Sequence, residues 1–270
     1  MKFENTLVSN FEGSFYGMRN PLNSWNKSDS IFGIGDITDL CDAESEVIPC
    51  WISKNNPKIE YYSDEYEEEY QKYCDWIEAN GILRSRADIY DFALIGPNDM
   101  ALAQRLVSSG PEHCKFLRQI QVSVNITAPL YWWKEFDTYK VGTTSNSTST
   151  MHTLAKTPIT IDKFEFDNLD IIVNDYGQHT FESFINETIS ACEILRNKYL
   201  ETEDKAYWRA LIELLPESFL QTRTITMSYT NLRNIYFQRH NHKLTEWKDD
   251  FIDWVKSLPY SKELIMLEER

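Results

Sequence analysis

Long apolar runs and paired cysteines are both missing from this sequence of 270 residues. No window approaches the roughly 18 uninterrupted apolar residues of a membrane helix, and the opening residues MKFENTLVSNFEGSFYG lack the apolar core of a secretory signal. The five cysteines are odd in number, widely spaced and without a CxxC pair, a pattern typical of free thiols in a reducing compartment. We therefore expect a cytoplasmic protein with no membrane partner.

Positive charge is also scarce, since 27 lysines and arginines face 42 aspartates and glutamates, for a net charge of −15. General nucleic-acid binding needs a basic face to offset phosphate repulsion, so this function is excluded. Much of the acidic excess lies between Ile59 and Gly81, where Tyr66, Tyr70 and Tyr73 recur at helical spacing. The pattern predicts an acidic amphipathic helix ended by Gly81, which serves either as a solvated face or as a partner-binding surface.

Several common catalytic and cofactor-binding motifs are absent. The sequence contains no GxGxxG, Walker A, GxSxG or HExxH motif. Of the five histidines only His240 and His242 lie close together, and no further Cys, Asp or Glu stands at ligand spacing from them. We predict no metal site.

Hydrophobic residues make up 42% of the chain and aromatic residues 14%, which is enough for a substantial core. Residues 1–60 contain several chain breakers and predict irregular structure with short strands or turns. Alternation of Ile120, Val122, Val124 and Ile126 with polar residues predicts a half-buried strand. The other predicted elements are helices over 99–109, 131–139, 181–195, 206–215, around 232–236 and over 247–258, and a short strand over 222–227. This order predicts an α+β fold.

An unusual stretch runs from Ile126 to Leu154, where an aromatic segment with Lys134 and Lys140 leads into a hydroxyl-rich segment, Gly142 to Thr150. The hydroxyl-rich segment consists of Gly, Ser, Thr and Asn, whose side chains compete with regular backbone pairing. One interpretation is a flexible polar loop after a buried helix. The other is an anion site in which hydroxyl groups and lysines bind a phosphate.

A second polar cluster, Gln238 to Lys243, follows a predicted helix. Its cationic residues either offset the negative end of the helix dipole or make Arg239 an anion-binding residue flanked by His240 and His242. An anion between Arg239 and Lys140 would be clamped by two elements far apart in sequence.

The order of these elements resembles that of the flavin-dependent thymidylate synthases. A strand, Ala128-Pro129, the aromatic helix, the hydroxyl-rich segment, long helices, Leu-Pro, a second strand and a helix ending in Arg239 follow one another as in that family. The resemblance covers roughly residues 95–258. It implies an α+β domain over 95–270, with helices packed on a small, mostly antiparallel sheet, and an N-terminal extension over 1–94.

The family motif Arg-His-Arg-x-x-Ser-x-Asn-Glu-x-Ser-x-Arg corresponds to YKVGTTSNSTSTM in this chain. Tyr139-Lys140-Val141 stands at the Arg-His-Arg position, and Ser147 and Met151 replace the Glu and the last Arg. The resemblance implies that Arg239 activates a pyrimidine ring. It implies flavin contacts for His113, Lys140, Thr144 and Asn146, and substrate contacts for Ser145, Ser149, Lys134 and Arg118.

Three functions follow from the residues and the resemblance. The first is a divergent FAD-dependent methyltransferase acting on a deoxyuridylate-like nucleotide, with NADPH and folate as further cofactors of the family. The second is a non-catalytic nucleotide-binding protein, in which the aromatic helix stacks the base and the hydroxyl-rich segment binds phosphate. The third is an interaction or scaffold protein that uses its acidic N-terminal third. The resemblance also implies a homo-oligomer, either a tetramer or a dimer.

Overall fold

The computed structural model describes residues 1–34, 48–56, 58–80, 83–84, 91–173 and 179–268. The described strands are β1 Lys2–Ser9, β2 Ile31–Ile34, β3 Leu83–Arg84, β4 Asp91–Leu94, β5 Gln121–Pro129, β6 Thr144–Ser147 and β7 Leu220–Ser228. The described α-helices are α1 Phe11–Arg19, α2 Ile48–Asn55, α3 Asp64–Asn80, α4 Pro97–Ser108, α5 Leu130–Phe136, α6 Thr150–Thr153, α7 Phe181–Thr202, α8 Lys205–Leu214, α9 Tyr229–Arg239, α10 Ile252–Lys256 and α11 Ser261–Leu264. Short 3-10 segments comprise Asn20–Leu22, Trp25–Lys27, Lys115–Arg118 and Ile161–Lys163, and Glu246–Phe251 is a π-helix.

The strands form two small sheets. A four-stranded sheet has the order β1-β5-β7-β6, and a three-stranded sheet has the order β2-β4-β3. In the smaller sheet both pairs are antiparallel. In the larger sheet Thr127 pairs with Thr222, whereas Asn125 pairs with Thr224, through side-chain hydrogen bonds of 2.7 Å, so β5 and β7 also run antiparallel. The predicted α+β fold, with many helices and small antiparallel sheets, is confirmed.

Strand β5 follows the predicted alternation closely. Val122, Val124 and Ile126 are fully buried, and the polar residues between them are half-buried. Pro129 ends the strand and precedes α5, as expected from its missing N–H and fixed φ. Period-two burial therefore identified this strand correctly.

The prediction of irregular structure for residues 1–60 was wrong over its first part. Residues 2–9 form β1 and residues 11–19 form α1. Helix α1 contains two glycines, which lower its intrinsic helix propensity, but it buries Phe11, Phe15 and Met18. Tertiary burial of these apolar side chains outweighs the local preference. Gly35, one of the chain breakers within residues 1–60, lies outside the described residues.

Other helices agree with the apolar spacing. The acidic helix is α3, with Tyr66 and Tyr73 each 5% exposed, while Gly81 lies outside the described residues. At the C-terminal end Trp247 and Phe251 are fully buried and Trp254 is 7% exposed, so the aromatic stripe packs into a core as predicted.

The described chain divides into two compact units. The first comprises residues 1–4 and 125–225, and the second comprises residues 5–124 and 226–270. In the first unit α7 and α8 pack together around Ile189, Cys192 and Leu211. In the second unit α2, α3 and β4 share a core cluster of Ile48, Ile52, Tyr66, Tyr73 and Leu94. The second unit includes residues from both sides of residue 94, and the predicted division into 1–94 and 95–270 stays a prediction.

Cysteine chemistry and membrane insertion can be checked within the described residues. Cys74, Cys114 and Cys192 are free thiols, as the spacing predicted. Burial raises the pKa of the Cys192 thiol, so this buried cysteine is a poor nucleophile. Among the helices in the described ranges, none is long and apolar enough to cross a bilayer.

Candidate functional site

Four of the nine residues of the hydroxyl-rich segment form a strand, so the interpretation as a flexible polar loop was wrong over this part. Thr144–Ser147 form β6 at one edge of the larger sheet, beside β7. The pairing continues past the strand, because the Thr148 N–H donates to the carbonyl of Thr222 at 2.9 Å. The Gln221 side chain donates to the Thr148 carbonyl, also at 2.9 Å. The backbone hydrogen bonds offered by β7 outweigh the competition from hydroxyl side chains.

Every side chain of β6 is exposed. Because successive residues of a strand point to opposite faces, Thr144 and Asn146 share one face, and Ser145 and Ser147 share the other. This alternation separates the two residues predicted to contact a cofactor, Thr144 and Asn146, from Ser145, which was predicted to contact substrate. The strand therefore presents two polar rows rather than one cluster.

Ser149 lies at the start of the short helix α6. Its carbonyl accepts the N–H groups of His152 at 3.1 Å and Thr153 at 3.0 Å, and its side chain makes no capping hydrogen bond. The half-buried hydroxyl of Ser149 is therefore not used to cap the helix.

The two lysines predicted at this site have different environments. Lys134 forms an ion pair with Glu217, which lies 83 residues away in the sequence. Lys140 is exposed and makes no ion pair with any carboxylate in the described part of the chain. Lys140, two residues before the hydroxyl-rich segment, therefore supplies a positive charge that no carboxylate of the described residues neutralises.

A further cation, Arg223 on β7, was missed in the sequence. Its guanidinium lies 4.2 Å from the ring centroid of Trp133, and its Nη1 donates to Asp137 at 2.7 Å. These contacts join α5 to β7 within the first unit. No local pattern indicates such pairs, because Arg223 and Asp137 are 86 residues apart.

The aromatic helix α5 does not offer its tryptophans and Phe136 to a ligand. Trp132, Trp133 and Phe136 are at most 2% exposed. Trp132 stacks on Phe136 with 5.1 Å between ring centroids, and Trp133 donates its indole N–H to the carbonyl of Gln221 at 2.9 Å. The hypothesis that this helix stacks a base is wrong for these three rings, because they fill the core.

His113, Arg118 and Arg239 belong to the second unit. His113 and Arg118 are exposed and lie before and at the end of the 3-10 segment Lys115–Arg118, which packs against α9. Arg239 is the last residue of α9 and is half-buried. Its guanidinium lies 4.8 Å from the ring centroid of Trp247, a cation–π geometry.

The histidines after α9 are held by the backbone. One ring nitrogen of His240, Nδ1, lies 3.1 Å from the carbonyl of Tyr236, and Nδ1 of His242 accepts the N–H of Leu244 at 3.2 Å. His242 also packs edge-on against Trp247 at 6.3 Å. Both imidazoles therefore help to shape the helix end beside Arg239.

The predicted site residues fall into two groups. Lys134, Lys140 and the hydroxyl-rich segment lie in the first unit, and the group with Arg239 lies in the second. The predicted clamp between Lys140 and Arg239 joins residues of different units and stays a prediction. Among the described residues, no three His, Cys, Asp or Glu side chains are grouped to hold a metal ion.

Comparison with known proteins gives structural similarity only. No protein-family model matches the sequence, and no curated protein matches it. The chain is similar to a crystal structure of thymidylate synthase X from Helicobacter pylori with FAD and dUMP, at 17% identity and a TM-score of 0.48, over 88% of this chain and 100% of the other. It is also similar to a second structure of the flavin-dependent enzyme from that organism complexed with FAD and dUMP, at 17% identity and a TM-score of 0.47, over 88% of this chain and 99% of the other.

Proposed function

We propose that this protein binds a pyrimidine nucleotide of the deoxyuridylate type, with the phosphate held by the segment from Lys140 to Ser149. One observation carries the proposal: an exposed lysine without a described acidic partner lies four residues before an edge strand whose side chains are all exposed hydroxyls and amides. In a chain with a net charge of −15, an anionic ligand needs a local cation to offset long-range repulsion. Hydroxyl and amide donors beside that cation supply the hydrogen bonds that a phosphate accepts.

The two rows of β6 give the proposal its detail. Lys140 and the row of Ser145 and Ser147 contact the phosphate, with Ser149 completing the set from the start of α6. The other row, Thr144 and Asn146, faces a different part of the ligand or solvent. Only one row can contact a given oxygen, because neighbouring side chains of a strand diverge.

For Arg239, in the second unit, the family resemblance implies contact with a pyrimidine ring, and this role is proposed separately from the phosphate site on β6. Its planar guanidinium can donate two parallel hydrogen bonds to a ring carbonyl and its neighbours, which a lysine cannot. Stacking on Trp247 at 4.8 Å limits the orientations available to this side chain. A restricted donor loses less entropy when a ligand binds.

The cations around β6 do not fit the FAD that the resemblance implies. A dinucleotide carries two phosphate charges, whereas Lys134 is paired with Glu217 and Arg223 is paired with Asp137. Val141 stands in the last position of the family's Arg-His-Arg and is 88% exposed, without a charge. Lys140 alone provides a point charge and cannot reproduce bidentate arginine contacts. The proposed function is therefore binding of a nucleotide, without flavin-dependent catalysis.

The experiment that tests the proposal is thermal unfolding with deoxyuridine monophosphate. A ligand that binds only the folded protein raises its melting temperature by mass action. We expect this gain to disappear in Ser145→Ala/Ser147→Ala/Ser149→Ala, with the melting temperature of the free protein nearly unchanged. The matched control is a triple alanine variant of exposed residues on α7, Asn186, Ser190 and Thr202, which should keep the full gain. Equal loss in both triple variants would contradict the proposal.

The cations are tested separately. Lys140→Ala should weaken nucleotide binding in a salt-dependent way, because its contribution is that of a point charge, while Lys156→Ala, another exposed lysine of the first unit, should not. Arg239→Lys keeps the charge and loses the planar fork, so we expect at least a tenfold loss of affinity, or about 1.4 kcal/mol. Unchanged affinity in Lys140→Ala would refute the phosphate site on β6, and unchanged affinity in Arg239→Lys would refute the role proposed for Arg239. Flavin absorbance that survives gel filtration would instead favour the flavin-dependent enzyme.

A further inference from the structure

A cavity of about 750 Å³ lies in the second unit, outside every residue that the family resemblance assigned. Its walls come from Arg19 at the end of α1, from residues 22–28 and from one face of α4. Asn98, Leu102 and Arg105 stand on that face at spacings of four and three residues. The volume is in the range of roughly 300–1,000 Å³ that is usual for small-molecule sites.

The lining of this cavity is cationic. Arg19, Lys27 and Arg105 contribute to it, and none of the described residues that line it is acidic. Lys27 and Arg105 are exposed and form no ion pair with any carboxylate within the described ranges. Two such cations without an acidic residue in the same cavity lining are unusual in a chain of net charge −15.

Two buried carboxylates, Asp99 and Asp29, lie close to the residues that line the cavity, and both already have hydrogen-bond partners. Asp99 is fully buried and binds Arg19 through distances of 2.6 Å from Nε and 2.5 Å from Nη2. Asp99 also accepts the hydroxyls of Ser28 at 2.7 Å and Ser30 at 2.5 Å. Asp29 is 4% exposed and accepts two N–H groups from the first turn of α4, at 2.7 and 2.9 Å. The charges of Lys27 and Arg105 therefore remain available to a ligand.

An aromatic ring also lines the cavity in a fixed orientation. Trp25 is 38% exposed, and its indole stacks on Tyr16 with 5.5 Å between ring centroids and an interplanar angle of 12°. Its N–H donates to Asn20 Oδ1 at 2.8 Å. A partly exposed indole that is already oriented offers a stacking surface at low entropic cost.

We propose that this cavity binds a phosphorylated nucleoside, with the base stacked on Trp25 and the phosphates held by Lys27 and Arg105. Flat aromatic bases stack on tryptophan, and phosphate oxygens take charge-assisted hydrogen bonds from lysine and arginine. The side chains of Asn23 and Asn98 add donors and acceptors for the sugar or the edge of the base. Arg19 is committed to Asp99 and serves to position the wall. This site is independent of the nucleotide site proposed on β6, because the two share no residue.

Calorimetric titration of the full chain tests the inference, with adenosine triphosphate and uridine monophosphate as probes and with adenosine and inorganic phosphate as half-ligands. We expect saturable binding of at least one nucleotide and at least tenfold weaker binding of both half-ligands. Lys27→Gln/Arg105→Gln should reduce nucleotide affinity at least tenfold and flatten its salt dependence. Trp25→Leu should also reduce it at least tenfold, with little effect on phosphate.

Two control variants separate this site from other effects. Lys198→Gln/Arg209→Gln removes the same charge from exposed helix positions of the first unit and should leave affinity unchanged. The β6 variant Ser145→Ala/Ser147→Ala/Ser149→Ala should retain binding at the cavity, so failure of the β6 proposal and failure of this one are distinguishable. Three outcomes would each overturn the inference: no saturable nucleotide binding, full affinity in Lys27→Gln/Arg105→Gln, or inorganic phosphate that binds as tightly as the nucleotides.

Discussion

The ion pair between Arg19 and Asp99 should make a large contribution to stability, and Asp99→Asn removes its negative charge. Asp99 is fully buried and Arg19 is 5% exposed, so water cannot solvate either group. The variant keeps the volume of the side chain but leaves the guanidinium buried without a counter-charge. Breaking one partner of a buried pair costs about 3–5 kcal/mol.

This free energy corresponds to a large shift in melting temperature. At about 2–4 °C per kcal/mol for chains of roughly this size, Asp99→Asn should melt about 6–20 °C below the unmodified protein. Thermal unfolding followed by circular dichroism measures the shift. The matched control is Glu213→Gln, which breaks the pair of Arg209 and Glu213 on α8, whose side chains are 79% and 64% exposed. Because exposed pairs are screened by solvent, this variant should melt at nearly the same temperature as the unmodified protein.

The double variant Arg19→Met/Asp99→Leu tests whether the loss of stability in Asp99→Asn comes from an uncompensated buried charge. If the cost of Asp99→Asn comes from an uncompensated buried charge, removing both charges should recover more than half of the lost stability. The explanation is refuted if Asp99→Asn melts within the range of Glu213→Gln. It is also refuted if the double variant is less stable than Asp99→Asn.

Three further predictions concern acid stability, helix capping and assembly. The Arg196 guanidinium holds the pKa of Glu193 below its usual value of 4.5, so the stability that this ionised carboxylate contributes is lost as the pH falls below about 4.5. In acid titrations between about pH 5 and pH 3, the stability of Glu193→Gln should therefore fall less steeply with decreasing pH than that of the unmodified protein. Ser228 and Asn231 form a capping box at the start of α9, so Ser228→Ala should lower the unfolding free energy by about 1 kcal/mol and Ser228→Gly by only a few tenths, measured by urea denaturation. Light scattering at micromolar concentration should give the mass of a tetramer or dimer, and a monomer would count against the oligomer that the family resemblance implies.

Elements with periodic apolar residues could be predicted from the sequence. Strand β5 alternates buried and half-buried residues, and helices α3 and α7 carry apolar residues at helical spacing. The spacing of apolar residues along the sequence therefore predicts which side of each element is buried. Strand β1 buries only Val8 and gives no such alternation. Strand β6 buries no side chain and owes its conformation to pairing with β7. Neither strand therefore has a local apolar pattern from which it could be predicted.

Charge partners were harder to predict than secondary structure. Lys134 was expected to contact substrate, but its partner Glu217 comes from a segment 83 residues later. The pair of Arg19 and Asp99 spans 80 residues, and its existence depends on how α1 approaches α4. Sequence patterns report which residues are apolar at a given period, whereas ion pairs depend on the three-dimensional path of the chain.

The residues that maintain the fold differ from those that the two proposals assign to ligand binding. The order of strands and helices is maintained by buried side chains such as Val124, Trp133 and Leu211, which are at most 1% exposed. The residues that could select an anion, Lys140 on one unit and Lys27 and Arg105 on the other, are exposed and form no ion pair with a described carboxylate. Substituting such exposed cations costs little stability, so a chain can keep an element order while its charged contacts change completely. Ligand specificity must for this reason be tested at these cations, since the order of elements does not determine it.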